Sequence, residues 1–77
     1  MGKHLRSPRH HALIAAIVEA RKAAGMSQRE FAQKLGRTNN FVWRIEAAER
    51  QVNVLEFIEI AKAAGVPADE LLRRVLR

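Results

Sequence analysis

No cysteine occurs among the 77 residues, which excludes a disulfide framework or a cysteine zinc site and suits a reducing cytosol. Long apolar runs are missing too. The longest, Ala12 to Val18, is far short of the roughly 20 residues that span a membrane, and no signal-peptide cleavage pattern follows it. The Met1-Gly2 start lacks the Ser or Thr of a myristoylation site, because Arg6 stands at that position. A soluble, cytoplasmic domain with no membrane partner is expected. Catalytic sets are also absent: there is no Ser-His-Asp group, no glycine loop to cradle a phosphate and no framed pair of carboxylates, so the chain does not read as an enzyme. His4, His10 and His11 crowd the N-terminus and make at best an adventitious metal site. Neither a cofactor nor a small-molecule ligand is indicated, and the chain carries no internal repeat, low-complexity stretch or strand alternation.

A chain of this length forms one domain that buries only about 60% of its unfolded surface, so every helix must contribute to the core. Its charge is strongly positive and uneven. Lys and Arg outnumber Asp and Glu ten to four in residues 1–50 and balance four to four in residues 51–77, placing the whole excess of +6 in the first fifty. That asymmetry points to a polyanion meeting the N-terminal part.

The punctuation predicts five helices and no strand, an all-α fold, with residues 1–7 a basic arm and residues 8–77 the domain. Ser7 and Pro8 supply a cap and a first helical residue without an amide proton. A first helix then runs to Ala24, with Leu13, Ile14, Ile17 and Val18 as its apolar stripe and Gly25 as its stop. The second spans Gln28 to Leu35. Ser27 and Glu30 form a capping box there, and Met26 and Phe31 occupy the positions of a hydrophobic staple. After the turn Gly36-Arg37-Thr38 a third helix covers Asn39 to Glu46. Asn53 with Glu56 opens a fourth, stapled by Val52 and Phe57 and carried by Ile58, Ile60 and Ala61 toward Gly65. A fifth begins at Pro67. Its acids at Asp69 and Glu70 and its arginines at Arg73, Arg74 and Arg77 suit the helix dipole, although Val66 is a poor cap.

The second and third helices form a helix-turn-helix. Ala32 is small enough for the third helix to cross closely, Gly36 tolerates positive φ in a sharp turn, and Val42 and Ile45, three apart, face inward together. About 100° per residue then places Asn40, Trp43 and Arg44 on the opposite side, with Asn39 on the flank. An Asn amide pairs bidentately with adenine and an Arg fork with guanine in the major groove, so these four are the candidate base readers on double-stranded DNA. Trp43 either packs along the stem of Arg44 or meets a thymine methyl or sugar. Phosphate contacts are expected from the amides that start the second helix, at Ser27 and Gln28, and from Arg29, Lys34, Arg37, Arg50 and Asn53. The basic stretch of Lys3, His4, Arg6, Arg9, His10 and His11 either follows a minor groove or, in its first six residues, stays loose in solution. Arg21 and Glu46 both fall on inward stripes, where each alone is an expensive buried charge. Their pairing is expected to tie the first helix to the third.

The stretch from Ala20 to Gln28, with Phe31-Ala32-Gln33-Lys34-Leu35-Gly36 and Phe41-Val42-Trp43-Arg44-Ile45-Glu46, resembles the phage-repressor (Cro and C1, or XRE) family of regulators over residues 10 to 72. The resemblance implies a five-helix lambda-repressor-like fold with the third helix in the major groove. It also implies that Gln28 steadies phosphate and the first reading residue at the groove edge. One position departs: two residues after Glu46, where the family usually has Gly, stands Ala48, which argues against a tight turn there.

Leu71, Leu72, Val75 and Leu76 give the fifth helix more apolar surface than a lid needs. A homodimer is therefore expected, presenting two reading helices about 34 Å apart to a palindromic operator; the alternative is that the fifth helix simply closes the monomer core. The function expected is sequence-specific transcriptional regulation. A module that binds another protein, such as an antitoxin-like subunit, is the alternative, but it more often carries an apolar centre where Asn39, Asn40 and Arg44 stand.

Overall fold

The first four helices each start on a side-chain cap. A computed structural model describes residues 7–77, and Lys3, His4 and Arg6 of the expected arm lie outside them. The first helix, α1 (Pro8–Ala23), begins where the Ser7 hydroxyl accepts the His10 amide at 3.0 Å. It ends one residue short of the expected Ala24, which takes the cap position. The second, α2 (Gln28–Leu35), has the complete Ser27–Glu30 box and ends at Gly36, whose φ of 69° lets the Arg37 amide reach back to the Ala32 carbonyl at 2.9 Å. The third, α3 (Asn39–Glu46), starts on Thr38. Its hydroxyl accepts the Phe41 amide at 3.2 Å, so this residue is a cap as well as the end of the turn. Both halves of the Asn53–Glu56 box open α4 (Val54–Ala64). In α5 (Ala68–Leu76) Pro67 itself sits at the cap without a side-chain bond, and the ion pairs Arg73–Asp69 and Arg74–Glu70, each one turn apart, brace the exposed side.

The turn after α3 corrects the sequence expectation. It is tight despite Ala48, which adopts φ 62°, the one positive value among the described non-glycine residues. The Ala48 amide donates to the Ile45 carbonyl (3.1 Å) and the Glu49 amide to that of Arg44 (2.8 Å). These two bonds satisfy the last carbonyls of α3 and hold an alanine where the left-handed region costs roughly 1–2 kcal/mol.

Phe31, Ile17, Ile60 and Leu71 are the largest fully buried side chains. Around them Ala16, Ala20, Ala32, Ala61 and Ala64 are buried, and these small residues let helix axes approach closely. Ala32 in particular is wholly buried, and α2 packs against α3. On α1 the inward face is Ile14, Ala16, Ile17 and Ala20, while Leu13 and Val18 of the expected stripe are only half-buried. Ile58, expected to carry α4 inward, is exposed instead. α1 lies along α5, and α4 touches α1, α2 and α5, so the helix-turn-helix rides on a platform of the other three. No described helix is long and apolar enough to cross a membrane.

Two groups of residues sit elsewhere than the sequence suggested. Leu71 and Val75 point into the chain's own core, at 0% and 5% exposure, leaving Leu72 and Leu76 as the α5 residues that face outward. The reason is the α1–α5 packing, which seats Leu71 and Val75 in the monomer core and leaves Leu72 and Leu76 outside it. Arg9 and His10 belong to α1 rather than to an arm. The Arg9 guanidinium donates to the Val75 carbonyl at 3.3 Å, near the C-terminal end of α5. His10 has its Nε2 buried with no partner among the described residues, and burial, helped by the nearby His11, pulls its pKa below 6.5.

Candidate nucleic-acid interface

α3 has two unlike sides. Val42 and Ile45, each 2% exposed, fix its inner side against the core, which rotates Asn39, Asn40, Trp43 and Arg44 outward. All four are exposed, Trp43 by 49%. Asn39, Asn40 and Trp43 share a shallow open groove with Arg21, Ser27, Gln28 and Arg29, so the expected readers and the start of α2 line one surface. Arg44 follows Asn40 by one helical turn. Half of the indole surface stands open to a partner, as a protruding reader requires.

Beneath that groove lies a buried polar lock. The Glu46 carboxylate accepts Arg21 Nε at 2.7 Å and Arg21 Nη2 at 3.0 Å, a two-pronged pair with side chains 8–9% exposed. Arg21 Nη1 also donates to the Met26 carbonyl at 2.8 Å, and Gln28 Nε2 donates to Glu46 Oε1 at 2.8 Å. The carboxylate thus joins α1, α2 and α3, and Arg21 adds the link into α2. Because the two charges are paired and each makes a further hydrogen bond, the desolvation that makes an isolated buried charge costly is offset in part. The predicted Arg21–Glu46 pair is therefore in place, and Gln28, expected only at the groove edge, is its third member.

The residues expected to hold phosphate divide in the structure. Arg29 is exposed at the start of α2 beside the groove. Lys34, at the other end of α2, borders a separate hollow with Glu59 and Lys62. Ser27, Gln28, Arg50 and Asn53 are engaged internally, while Arg37 is exposed. The Ser27 hydroxyl caps the Glu30 amide, and its own amide donates to Glu30 Oε1 at 2.8 Å. That amide bond holds the Glu30 carboxyl below its ordinary pKa, so a carboxylate already sits where the sequence placed an anion site. Asn53 Oδ1 caps the Glu56 amide at 2.8 Å. Arg50 forms a two-pronged pair with Glu56, both bonds 2.8 Å, and donates to the Gln51 carbonyl at 2.9 Å. Hydrogen bonding to Arg50 is the main reason that Glu56 titrates below its ordinary value, and the same contact raises Arg50. Arg37 lies 3.6 Å from Glu59 in an exposed pair. The Arg37 and Arg50 guanidinium carbons each sit 4.6 Å from the Phe41 ring centroid, a cation–aromatic contact that steadies both arginines beside α3.

Sequence reasoning missed this Arg37–Phe41–Arg50 cluster and the Arg50–Glu56 pair. Neither has a local signature, since the partners come from the turn before α3, α3 itself, the loop after it and the first turn of α4.

The helix-turn-helix family model matches residues 17–71, well over half of the chain. An XRE-family-like protein from Pseudomonas syringae pv. tomato superposes with a TM-score of 0.86 and 37% identity, over 97% of this chain and 92% of its own. This chain belongs to the XRE-type helix-turn-helix family. The clp gene regulator ClgR from Corynebacterium glutamicum shares the family member's fold at a TM-score of 0.81 and 20% identity, over 91% of this chain and 74% of its own. No curated protein sequence matches. The five-helix, strand-free architecture expected from the XRE resemblance is the one observed among the described residues.

Proposed function

We propose that this XRE-type protein is a sequence-specific transcriptional regulator of double-stranded DNA that reads the major groove with α3 and acts as a dimer on a palindromic operator. The observation that carries the reading is the outward set Asn39, Asn40, Trp43 and Arg44 on a helix whose inner side is locked in place. An amide and a guanidinium one turn apart suit neighbouring base pairs, each good pair being worth roughly 1–3 kcal/mol of discrimination. Arg29 and Arg37, exposed around that helix, supply the backbone contacts. Lys34 sits farther along α2 and adds to the positive field that steers the approach. Arg50 and Gln28 position their neighbours rather than reaching phosphate.

Binding to a random-sequence duplex at two salt concentrations tests the reading. Affinity falls steeply with salt when cations neutralise phosphates; a flat response excludes DNA and favours the protein-binding alternative. Sequencing the duplexes retained from a random pool then gives the operator, expected to be a palindrome with half-site centres about 34 Å apart.

A further inference from the structure

The outward side of α3 carries one residue that hydrogen bonding does not explain. Asn39, Asn40 and Arg44 each offer a fork of polar atoms, whereas Trp43 offers an indole that is 49% exposed. It is the sole tryptophan of the chain. A ring of this kind ordinarily contributes by being buried, so half of one left in water on the reading face calls for a partner surface. The groove it lines is otherwise polar, walled by Arg21, Ser27, Gln28 and Arg29 with Asn39 and Asn40. No guanidinium covers the ring. Among the described residues the cation–aromatic contacts gather on Phe41, and none reaches Trp43.

We propose that Trp43 reads the C5-methyl group of a pyrimidine, so that the protein responds to a methyl that takes no part in base pairing. The inference rests on the DNA reading above and deepens it by naming what the indole meets. The floor of the major groove is a row of hydrogen-bond donors and acceptors, and its principal apolar feature is the methyl of thymine. An apolar ring on the reading face has that group as its counterpart. The neighbouring side chains bring the counterpart close. Asn39 and Asn40 stand four and three positions before Trp43, one helical turn away on the same side, and an asparagine amide pairs with adenine. Each adenine read in this way carries a thymine opposite it, with the methyl in the same groove. The helix is also held still enough for such a contact. Glu46, three positions after Trp43, is fixed by Arg21 and Gln28, and a gap of roughly 0.5–1 Å already forfeits a quarter to a half of a dispersion contact. 5-Methylcytosine bears the same methyl on the same ring carbon, so a cytosine methylated in the operator presents the indole with an equivalent surface.

The test uses the full chain and the operator selected from a random pool. Its thymines are replaced by uracil one at a time, which deletes the methyl and leaves every hydrogen-bonding group in place. The wild type is expected to lose about three- to fivefold in affinity at one thymine of each half-site, the factor that follows from leaving one methyl unburied. Trp43→Gln is expected to bind the thymine operator more weakly and to show no loss at that position, while losses at other thymines persist. Its thermal melt checks that the fold is intact. The wild type supplies a reading that needs no variant: emission of the sole indole should shift and quench on the thymine operator, and less on the uracil one. In a second arm cytosine replaces the sensitive thymine, with and without its C5 methyl. Tighter binding of the methylated form by a similar factor extends the reading to 5-methylcytosine; a loss with uracil but no gain with 5-methylcytosine confines it to thymine. Equal affinity for thymine and uracil at every position overturns the inference and assigns the indole to a sugar or to a protein. Half-sites without thymine, or a uracil loss that Trp43→Gln keeps in full, overturn it as well. Where duplex binding remains steeply salt-dependent in those cases, the DNA reading survives; a flat salt response removes both.

Discussion

In the proposed reading, the two sides of α3 divide the labour between stability and recognition. Val42, Ile45 and the Glu46 carboxylate hold the helix from beneath, buried and fully engaged. Asn39, Asn40, Trp43 and Arg44, on the same eight residues, have no such duty and remain exposed. A change on the inner side should therefore cost folding free energy, and one on the outer side should cost recognition without touching the fold. That separation makes α3 a good place to measure each alone.

The largest effect is expected on the inner side. Glu46→Ala strands the Arg21 guanidinium in a buried site and removes the acceptor of Gln28, so it should destabilise the domain by about 3–5 kcal/mol, read as a lowered midpoint in urea or thermal unfolding. Arg21→Ala should cost a similar amount, and the double variant clearly less than the sum of the two. Two small, additive shifts would mean that the pair does not act as a unit. On the outer side, Arg44→Ala should leave unfolding within about 0.5 kcal/mol of wild type. It should also relax base preference by roughly 1–3 kcal/mol at one position of each half-site. Unchanged preference in sequenced selections, or a large drop in stability, would break the division. At the end of the helix, Ala48→Gly removes the left-handed strain at some cost in unfolded-chain entropy. It should raise stability by a net amount of about 0.5–1 kcal/mol, a rise in Tm of a few degrees.

The smallest effect lies away from α3 and serves as the contrast. Because Arg50 holds the folded Glu56 carboxyl below its ordinary value of 4.5, the unfolded chain binds that proton more tightly than the folded one. The pair's contribution is present above about pH 4.5 and is lost as pH falls through the lowered folded value. Urea midpoints followed downward through this range should fall more steeply for the wild type than for Glu56→Gln, and equal slopes would show that the pair adds nothing to acid stability.

What could be read from the sequence was local or periodic. The boxes at Ser27–Glu30 and Asn53–Glu56 each join residues three apart, and a helical wheel turns Val42 and Ile45 inward whatever surrounds them. Arg21 and Glu46 are 25 positions apart, yet each falls on an inward stripe, and a buried charge demands an opposite one. The rest depended on how helices dock. Which edge of α5 meets α1 decides that Leu71 and Val75 serve the monomer core, and the seating of α4 decides that Ile58 faces out; neither is written in the spacing of one helix. Ala48 follows from closure of the α3 carbonyls, which outweighs the residue's own preference. In the expected phosphate set, Ser27 and Asn53 each also cap a residue three positions on, and Arg50 pairs with Glu56 across the loop before α4.

Gln28 carries a last consequence. A carboxylate offers only acceptors, so the bond to Glu46 fixes which end of the Gln28 amide points down. The side chain has already given up its rotamer freedom, a loss that a long polar residue otherwise meets at up to roughly 2 kcal/mol on being immobilised. Any molecule that touches it meets a group frozen in advance. The solvent-facing Arg44 must instead be stilled on contact, so calorimetry of duplex binding by Gln28→Ala and Arg44→Ala should divide differently between enthalpy and entropy even where their affinities agree.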